Sequence, residues 1–323
     1  MTTVTSNTND KVPHAPNRGG LEGIVAATTA ISKVETAGRL IYRGYNIHDL
    51  ARTVTFEEVA YLLWLGNLPN QSELALLKRQ LAAESMLPAQ TLQVLRDLPL
   101  TSAPIDVLRT VISAWGTQTI KGKATLDQAI ALTARFPLVL AAFHRLRNGQ
   151  EPLEARPDLG YAANYLYLMS GEVPEEQHVK ALDAYLVLLA DHGMNASTFT
   201  ARVVASTESD IASSIVAALG ALKGPLHGGA PSKVLDMLNA IGTVENAEPW
   251  LRHAMINGER LMGFGHRVYK AEDPRAEELR DLARLADPQA FVLARRVEEL
   301  AVSILDELKP GRRLYTNVEF YSA

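Results

Sequence analysis

Residues 263–275 hold the densest set of groups suited to acid–base and anion chemistry in this chain. Gly263 and Gly265 lead directly into His266, Arg267, Lys270 and Arg275 add positive charge, and Asp273-Pro274 opens a helix. Glycine lets a backbone approach a ligand closely or take a positive φ. Histidine exchanges a proton near neutral pH, and the arginine fork matches a carboxylate bidentately. A solvated basic turn ahead of a helix would use the same residues, so the rest of the chain has to decide between the two.

The chain has eight histidines: His14, His48, His144, His178, His192, His227, His253 and His266. Three stand beside glycine in breaker-rich segments. They are His192 in Asp191-His192-Gly193-Met194-Asn195, His227 in Lys223-Gly224-Pro225-Leu226-His227-Gly228-Gly229, and His266. Such segments lie at helix ends, where free backbone N–H groups receive anions. Taken singly, each is also explained by a hydrogen bond to a neighbouring helix. His48, His144, His178 and His253 suit polar helix faces or loops. A metal site is disfavoured, because His192, His227 and His266 lie 35 and 39 residues apart and no His-Glu-x-x-His occurs. Absence of cysteine removes thiolate nucleophiles and thiolate ligands. There is no Gly-x-Ser-x-Gly and no P-loop, and Gly263-Phe264-Gly265-His266-Arg267-Val268 lacks the last glycine of a dinucleotide fingerprint. What remains is acid–base chemistry without metal or covalent nucleophile. Two neutral histidines can polarise carbonyl oxygens while a carboxylate removes a carbon-bound proton. Glu319, in Asn317-Val318-Glu319-Phe320-Tyr321-Ser322, is the candidate carboxylate. Its plain alternative is a solvated glutamate in a frayed terminus.

The elements that position these groups read as mostly α with a small β hairpin near the N-terminus. Residues 24–31 and 40–42 are strand-like, separated by a turn at Thr36-Ala37-Gly38. Thr55 with Glu58 and Thr125 with Gln128 are capping boxes, and Asn70 or Ser72 caps a helix between them. The Thr125 helix ends at Arg145, Arg147 and Gly149, which suits a helix C-terminus. Further helices are expected from Glu175, from Thr207 through Leu222, from Pro231 to Gly242, and over 248–257, 273–285 and 287–308, with Pro310-Gly311 stopping the last. The helix through Leu222 is rich in Ala and Ser, small residues that let helices pack closely, and is a candidate interface helix. A chain of 323 residues suggests about two domains. We expect an N-terminal arm over 1–20, a large helical domain over 21–224, and a small domain over 225–323 that carries most of the reactive residues.

Composition excludes several classes of function. Net charge is −4, which argues against a general nucleic-acid footprint. No cysteine means no disulfide and nothing that points to secretion. Residues 1–20 are polar and lack the apolar stretch of a signal peptide. No apolar run of membrane-spanning length is expected. A cytoplasmic protein without membrane or nucleic-acid partners follows as the expectation.

Four ordered segments together resemble the citrate synthase family. Residues 263–275 resemble its signature throughout, 223–230 its first catalytic-histidine loop, 191–200 its oxaloacetate-histidine segment, and 317–322 its catalytic carboxylate segment. Gly20-Leu21-Glu22-Gly23 and Tyr42-Arg43-Gly44-Tyr45 are similar to the bacterial branch. The resemblance implies a mostly helical homodimer with a large and a small domain. It implies that His227 hydrogen-bonds the acetyl-CoA thioester oxygen, that Glu319 takes the methyl proton, and that His266 polarises the oxaloacetate ketone. His192 and Arg275 would hold oxaloacetate, Lys270 would meet CoA phosphate, and backbone around Leu261, Gly263 and Gly265 would accept the adenine. Acetyl-CoA enters as substrate, and no cofactor is implied. Two departures stand out: the family more often has Asp where this chain has Glu319, and family members continue with further helices and arginines where this sequence stops at Ala323. Weak or no activity is the expectation from both. Two other readings are carried forward: a 2-methylcitrate synthase using propionyl-CoA, and a catalytically silent helical scaffold.

Overall fold

The computed structural model describes residues 27–35, 38–119, 122–224, 227–228, 230–265, 269, 272–308 and 315–322. His266 and Lys270 lie outside these residues, as do the N-terminal arm and Pro310-Gly311.

Strands β1 (Ser32–Glu35), β2 (Arg39–Tyr42) and β3 (Tyr45–Asn46) form an antiparallel sheet in sequential order. A two-residue turn joins β2 to β3, with Arg43 at φ 48° and Gly44 at φ 97°, the left-handed pair that matches hairpin twist. This corrects the expectation of a first strand over 24–31 for residues 27–31, which form no strand, while 24–26 lie outside the described residues. Ser32 pairs with Tyr42, the Ile31 carbonyl accepts the Arg43 N–H at 2.9 Å, and β2 then turns back, so the ladder ends there.

The helices are α1 (Ile47–Thr53), α2 (Phe56–Leu65), α3 (Gln71–Glu84), α4 (Ala89–Asp97), α5 (Pro104–Thr119), α6 (Leu126–Arg147) and α7 (Tyr161–Ser170). They continue as α8 (Glu176–Leu188), α9 (Ala196–Ala205), α10 (Ile211–Leu222), α11 (Ala230–Ile241), α12 (Val244–Ile256), α13 (Pro274–Ala286) and α14 (Pro288–Leu308). The capping boxes at Thr55, Asn70 and Thr125 start α2, α3 and α6 as their residue types require. Asp210, rather than Thr207, caps α10: its carboxylate accepts the Ser213 N–H at 2.8 Å. Helix α12 begins at Val244, ahead of the expected Glu248.

Two main cores result. One unites Leu40 and Tyr42 of the sheet, Leu50, Val59, Leu62 and Leu188 with Val234, Leu251, Val297, Ile304 and Phe320. The other gathers Leu95, Val111, Ile112, Leu132, Val139, Phe143, Ala212 and Leu219 from α4, α5, α6 and α10. Helix α6 is long and apolar enough to cross a membrane by length and composition, contrary to expectation. Its packing gives the reason for that composition. Ile130, Leu132, Leu138, Val139 and Phe143 are buried inside the protein, and Arg135 pairs with Glu84 of α3 at 2.7 Å.

The close helix packing expected of α10 is met at α5. A Cβ on Gly116 would lie 2.5 Å from the Ala212 Cβ. An Ala in a helix ordinarily gains up to about 1 kcal/mol over Gly, whereas overpacking a tight contact costs about 1–3 kcal/mol. We therefore expect Gly116→Ala to lower stability by about 1 kcal/mol or more, read as a fall in the denaturation midpoint. A raised midpoint would mean that α5 and α10 separate without cost.

Candidate active site

His192 sits in the link between α8 and α9, and the N-terminal sheet fastens that link. Tyr42, fully buried, accepts the Asp191 N–H at 3.1 Å and donates to the Asp191 carbonyl at 2.8 Å, with the Leu188 carbonyl at 3.1 Å. Burial pushes the pKa of the Tyr42 hydroxyl up, so it stays protonated and able to donate. The Asp191 carboxylate accepts the Ser32 hydroxyl and the Gly193 N–H, the latter at 2.8 Å. Asn195 then starts α9 by accepting the Thr198 N–H at 3.0 Å. Held this way, His192 places its Nε2 3.1 Å from the Tyr269 hydroxyl, with the two rings edge to face.

Arg275 occupies the first turn of α13. Asp273 caps that helix, accepting the Arg275 N–H at 3.0 Å, and also grips the Arg275 guanidinium through Nε at 3.0 Å and Nη2 at 2.8 Å. Both side chains are buried, at 1 % and 6 % exposure. Asp273 Oδ2 accepts one more donor, the Val318 N–H at 3.2 Å, which ties the start of α13 to the segment that carries Glu319.

That segment lies along residues 261–265. Gly265 N–H donates to the Tyr315 carbonyl at 2.8 Å, and Asn317 N–H to the Gly263 carbonyl at 2.9 Å. These bonds flank one antiparallel bridge between Phe264 and Thr316. The Asn317 side chain donates to the Gly265 carbonyl at 2.9 Å and accepts the Glu319 N–H at 2.9 Å. Gly263 has φ 79°, and a Cβ there would fall 2.8–3.0 Å from Phe320. The close approach that glycine permits at 263 is thus to Phe320 of the chain itself. Glu319 is half-buried, and burial pushes its carboxyl above the usual range, with Asn317, Arg260 and Arg275 pulling the other way. Such a carboxylate is a stronger base than an exposed one.

His227 follows α10 in a turn, its N–H donating to the Gly224 carbonyl at 2.9 Å. Its Nε2 is 2.7 Å from the Ser197 hydroxyl of α9. Burial lowers its pKa, which favours the neutral ring at pH 7.

Residues 20–323 match the family model described as citrate synthase, C-terminal domain. The chain is 44 % identical over 315 residues to citrate synthase 2 of Bacillus subtilis, an alignment spanning 94 % of this chain and 82 % of that one. The chain belongs to the citrate synthase family. It is also 43 % identical over 281 residues to a 2-methylcitrate synthase of Mycobacterium tuberculosis, covering 86 % of this chain and 71 % of that one. A citrate synthase from Thermoplasma acidophilum, solved as a ternary complex with carboxymethyl coenzyme A and oxaloacetate, superimposes with TM-score 0.85 at 29 % identity. That match covers 93 % of this chain and 81 % of that one.

For a citrate synthase-family chain, the residues expected from sequence fall into two groups. His192, Arg275 and Glu319 are joined through Tyr269, Asp273 and the 315–318 segment, and the Arg275 charge acts on both Tyr269 and Glu319. His227 is tied instead to α9, the helix that follows the His192 loop. Leu261 buries its side chain in the first core. Sequence reasoning missed Ser32, Tyr42, Tyr269 and Ser197, and it read Asp273 only as a helix start. The Asp-Pro pair signalled the cap, but nothing in the sequence signalled the grip on Arg275. Tyr42 and Ser32 lie so far from residue 191 in the chain that no local pattern could connect them.

Tyr42→Phe should leave the Asp191 backbone groups and the Leu188 carbonyl short of a buried partner, at a cost of about 1–3 kcal/mol. The expected readouts are a lower denaturation midpoint and faster amide exchange at Asp191. If neither moves, Ser32 and the Asp191 carboxylate suffice to hold the loop.

Proposed function

We propose that this chain condenses acetyl-CoA with oxaloacetate and hydrolyses the resulting citryl-CoA to citrate and CoA. The observation that carries this reading is the half-buried Glu319, its pKa raised by burial, on a segment bonded to the Asp273–Arg275 pair. Family membership supplies the reaction class. Glu319 removes a methyl proton from acetyl-CoA. His227, neutral, donates a hydrogen bond to the thioester oxygen as the enol forms. His266 polarises the oxaloacetate ketone and protonates the developing alkoxide. His192 and Arg275 hold the oxaloacetate carboxylates, Arg275 through the N–H groups that Asp273 leaves available. Lys270 meets a CoA phosphate, and the backbone at Leu261, Gly263 and Gly265 lies against the adenine. The chemistry uses side chains alone, with acetyl-CoA as substrate and no resident cofactor. In this reading the protein acts as a cytoplasmic homodimer at the entry to the tricarboxylic acid cycle.

Likeness to a 2-methylcitrate synthase supports a second reading, in which propionyl-CoA is the acyl donor. One extra methylene in an acyl pocket is worth about 1–3 kcal/mol. The ratio of kcat/KM for the two acyl-CoAs decides between them: a ratio above one for acetyl-CoA upholds the first reading, and a ratio below one the second.

Glu319→Gln keeps the shape and removes the base. Turnover, followed by thiol release, should fall on the order of 100- to 10,000-fold, with oxaloacetate binding retained. The pH profile carries the sign of the shift. A base works only when deprotonated, and burial raises this carboxyl, so kcat/KM should fall with acid at a higher pH than an ordinary glutamate, near 4.3, would give. Wild-type turnover in the Gln variant would overturn the assignment.

A further inference from the structure

Five donors converge on one buried carboxylate that the chemistry above does not use. Glu298, on α14, is 6 % exposed. It accepts Arg280 Nη2 at 2.7 Å and Nε at 3.2 Å, Arg295 Nη1 at 2.6 Å, the Thr316 hydroxyl at 2.8 Å and the Tyr321 hydroxyl at 2.6 Å. A carboxylate has about four lone-pair sites, so both oxygens are fully engaged. Burial alone would raise its pKa, yet the hydrogen bonds from Tyr321, Arg280 and Thr316 bring it below the usual range. Glu298 is therefore ionised at neutral pH.

The placement of the two hydroxyl donors gives this cluster its meaning. Thr316 and Tyr321 bracket Glu319 on either side in the chain. Between them the backbone is neither helix nor strand, apart from the single bridge at Thr316. An irregular segment has few internal hydrogen bonds to fix its shape, so its geometry depends on outside anchors. Glu298 supplies an anchor at each end. Arg280 extends the cluster further: it also pairs with Glu272, next to Asp273, and its guanidinium lies over the Tyr321 ring at 5.5 Å.

We infer that Glu298 is a positioning residue for Glu319, fixing both flanks of the segment 316–321 so that the carboxylate is presented at one place. This rests on the reading of Glu319 as the base. Glu298 reaches Glu319 only through the segment's backbone, and a misplacement of about 1 Å at a reacting group can cost on the order of 100-fold in rate.

The test is steady-state kinetics on the whole chain with three variants. Glu298→Gln retains the side-chain length and loses the charge. We expect kcat to fall on the order of 10- to 100-fold, with KM for oxaloacetate within about 3-fold of wild type, because Asp273 grips the Arg275 guanidinium and Tyr42 holds the His192 link through bonds that Glu298 does not make. Tyr321→Phe removes one anchor, and a smaller fall in kcat is expected. If both substitutions act through one segment, the double variant should fall no further than Glu298→Gln alone, whereas unrelated structural damage would multiply. A folded Glu298→Gln protein with unchanged kcat, or losses that multiply, would overturn the inference. Should Glu298→Gln fail to fold, Tyr321→Phe and Thr316→Val carry the test, and unchanged kcat in both overturns it. Glu319→Gln run in parallel separates the two levels. Normal turnover there removes the base assignment and this inference with it. Lost turnover there beside normal turnover in Glu298→Gln overturns the positioning role alone.

Discussion

Asp273 is a carboxylate sealed from water, and the arrangement around Arg275 and Glu319 depends on how its charge is compensated. An unpaired buried charge costs several kcal/mol. Here the compensation comes from the Arg275 fork, from the Arg275 N–H at the start of α13, and from the Val318 N–H. Each of these partners is thereby fixed in place. The fork sets the plane of the guanidinium, and the Val318 bond sets the backbone one residue before Glu319. The cation that would meet a substrate carboxylate and the base that would remove a proton are held as one unit. Asp273 and Arg275 also act on Glu319 with opposite sign, one raising and one lowering its pKa, and burial is the larger influence on it.

The other side of the site depends on a different constraint. The α8–α9 link has too few residues in regular structure to hold His192 by itself, so its polar backbone must find partners elsewhere. Tyr42 and Ser32 supply them from a three-stranded sheet whose Leu40 and Tyr42 are buried in the same core as Leu188, Val297 and Phe320. That shared core is why the sheet, small as it is, can act as a rigid support. Three parts of the chain that are remote in sequence meet here: residues 32–42, 188–195 and 261–321.

What was legible in the sequence follows from the range of the interaction concerned. Capping boxes at Thr55 and Thr125 are local contacts and located α2 and α6 correctly, and of the two caps open for α3, Asn70 or Ser72, the structure uses Asn70. The Asp-Pro pair at 273–274 did the same for α13. Helices α4 and α7 went unread because each lacks a side-chain cap, Pro88 and Gly160 standing at their N-caps. Helix α9 was hidden inside a segment read for its histidine, although Asn195 is a sound cap. In the site, His192, Arg275 and Glu319 were legible as residue types beside glycine, proline or aromatic neighbours. Their supports were not. Tyr42 reaches Asp191 across 149 residues, and Glu298 reaches Thr316 across 18 on another element. Such pairings belong to the fold as a whole.

The glutamate at 319 shows how these constraints bear on one another. Its segment is bonded at Tyr315 and Asn317 to 263–265, at Val318 to Asp273, and at Thr316 and Tyr321 to Glu298. The Phe320 ring closes the space over Gly263. A backbone tied at so many consecutive positions has little freedom to retreat and make room for a longer side chain. The carboxylate of Glu319 therefore sits where its own side-chain torsions and the Asn317 amide put it, about one bond further out than an aspartate would reach from the same Cα. Asn317 holds the backbone N–H of residue 319 at 2.9 Å and stands 3.5 Å from the carboxylate oxygen, a distance that orients the group only weakly. The backbone under Glu319 is firmly placed, then, while its carboxylate keeps torsional freedom. The loop thus places the Cα of residue 319, and the side-chain torsions set the carboxylate oxygens within the reach which that placement allows.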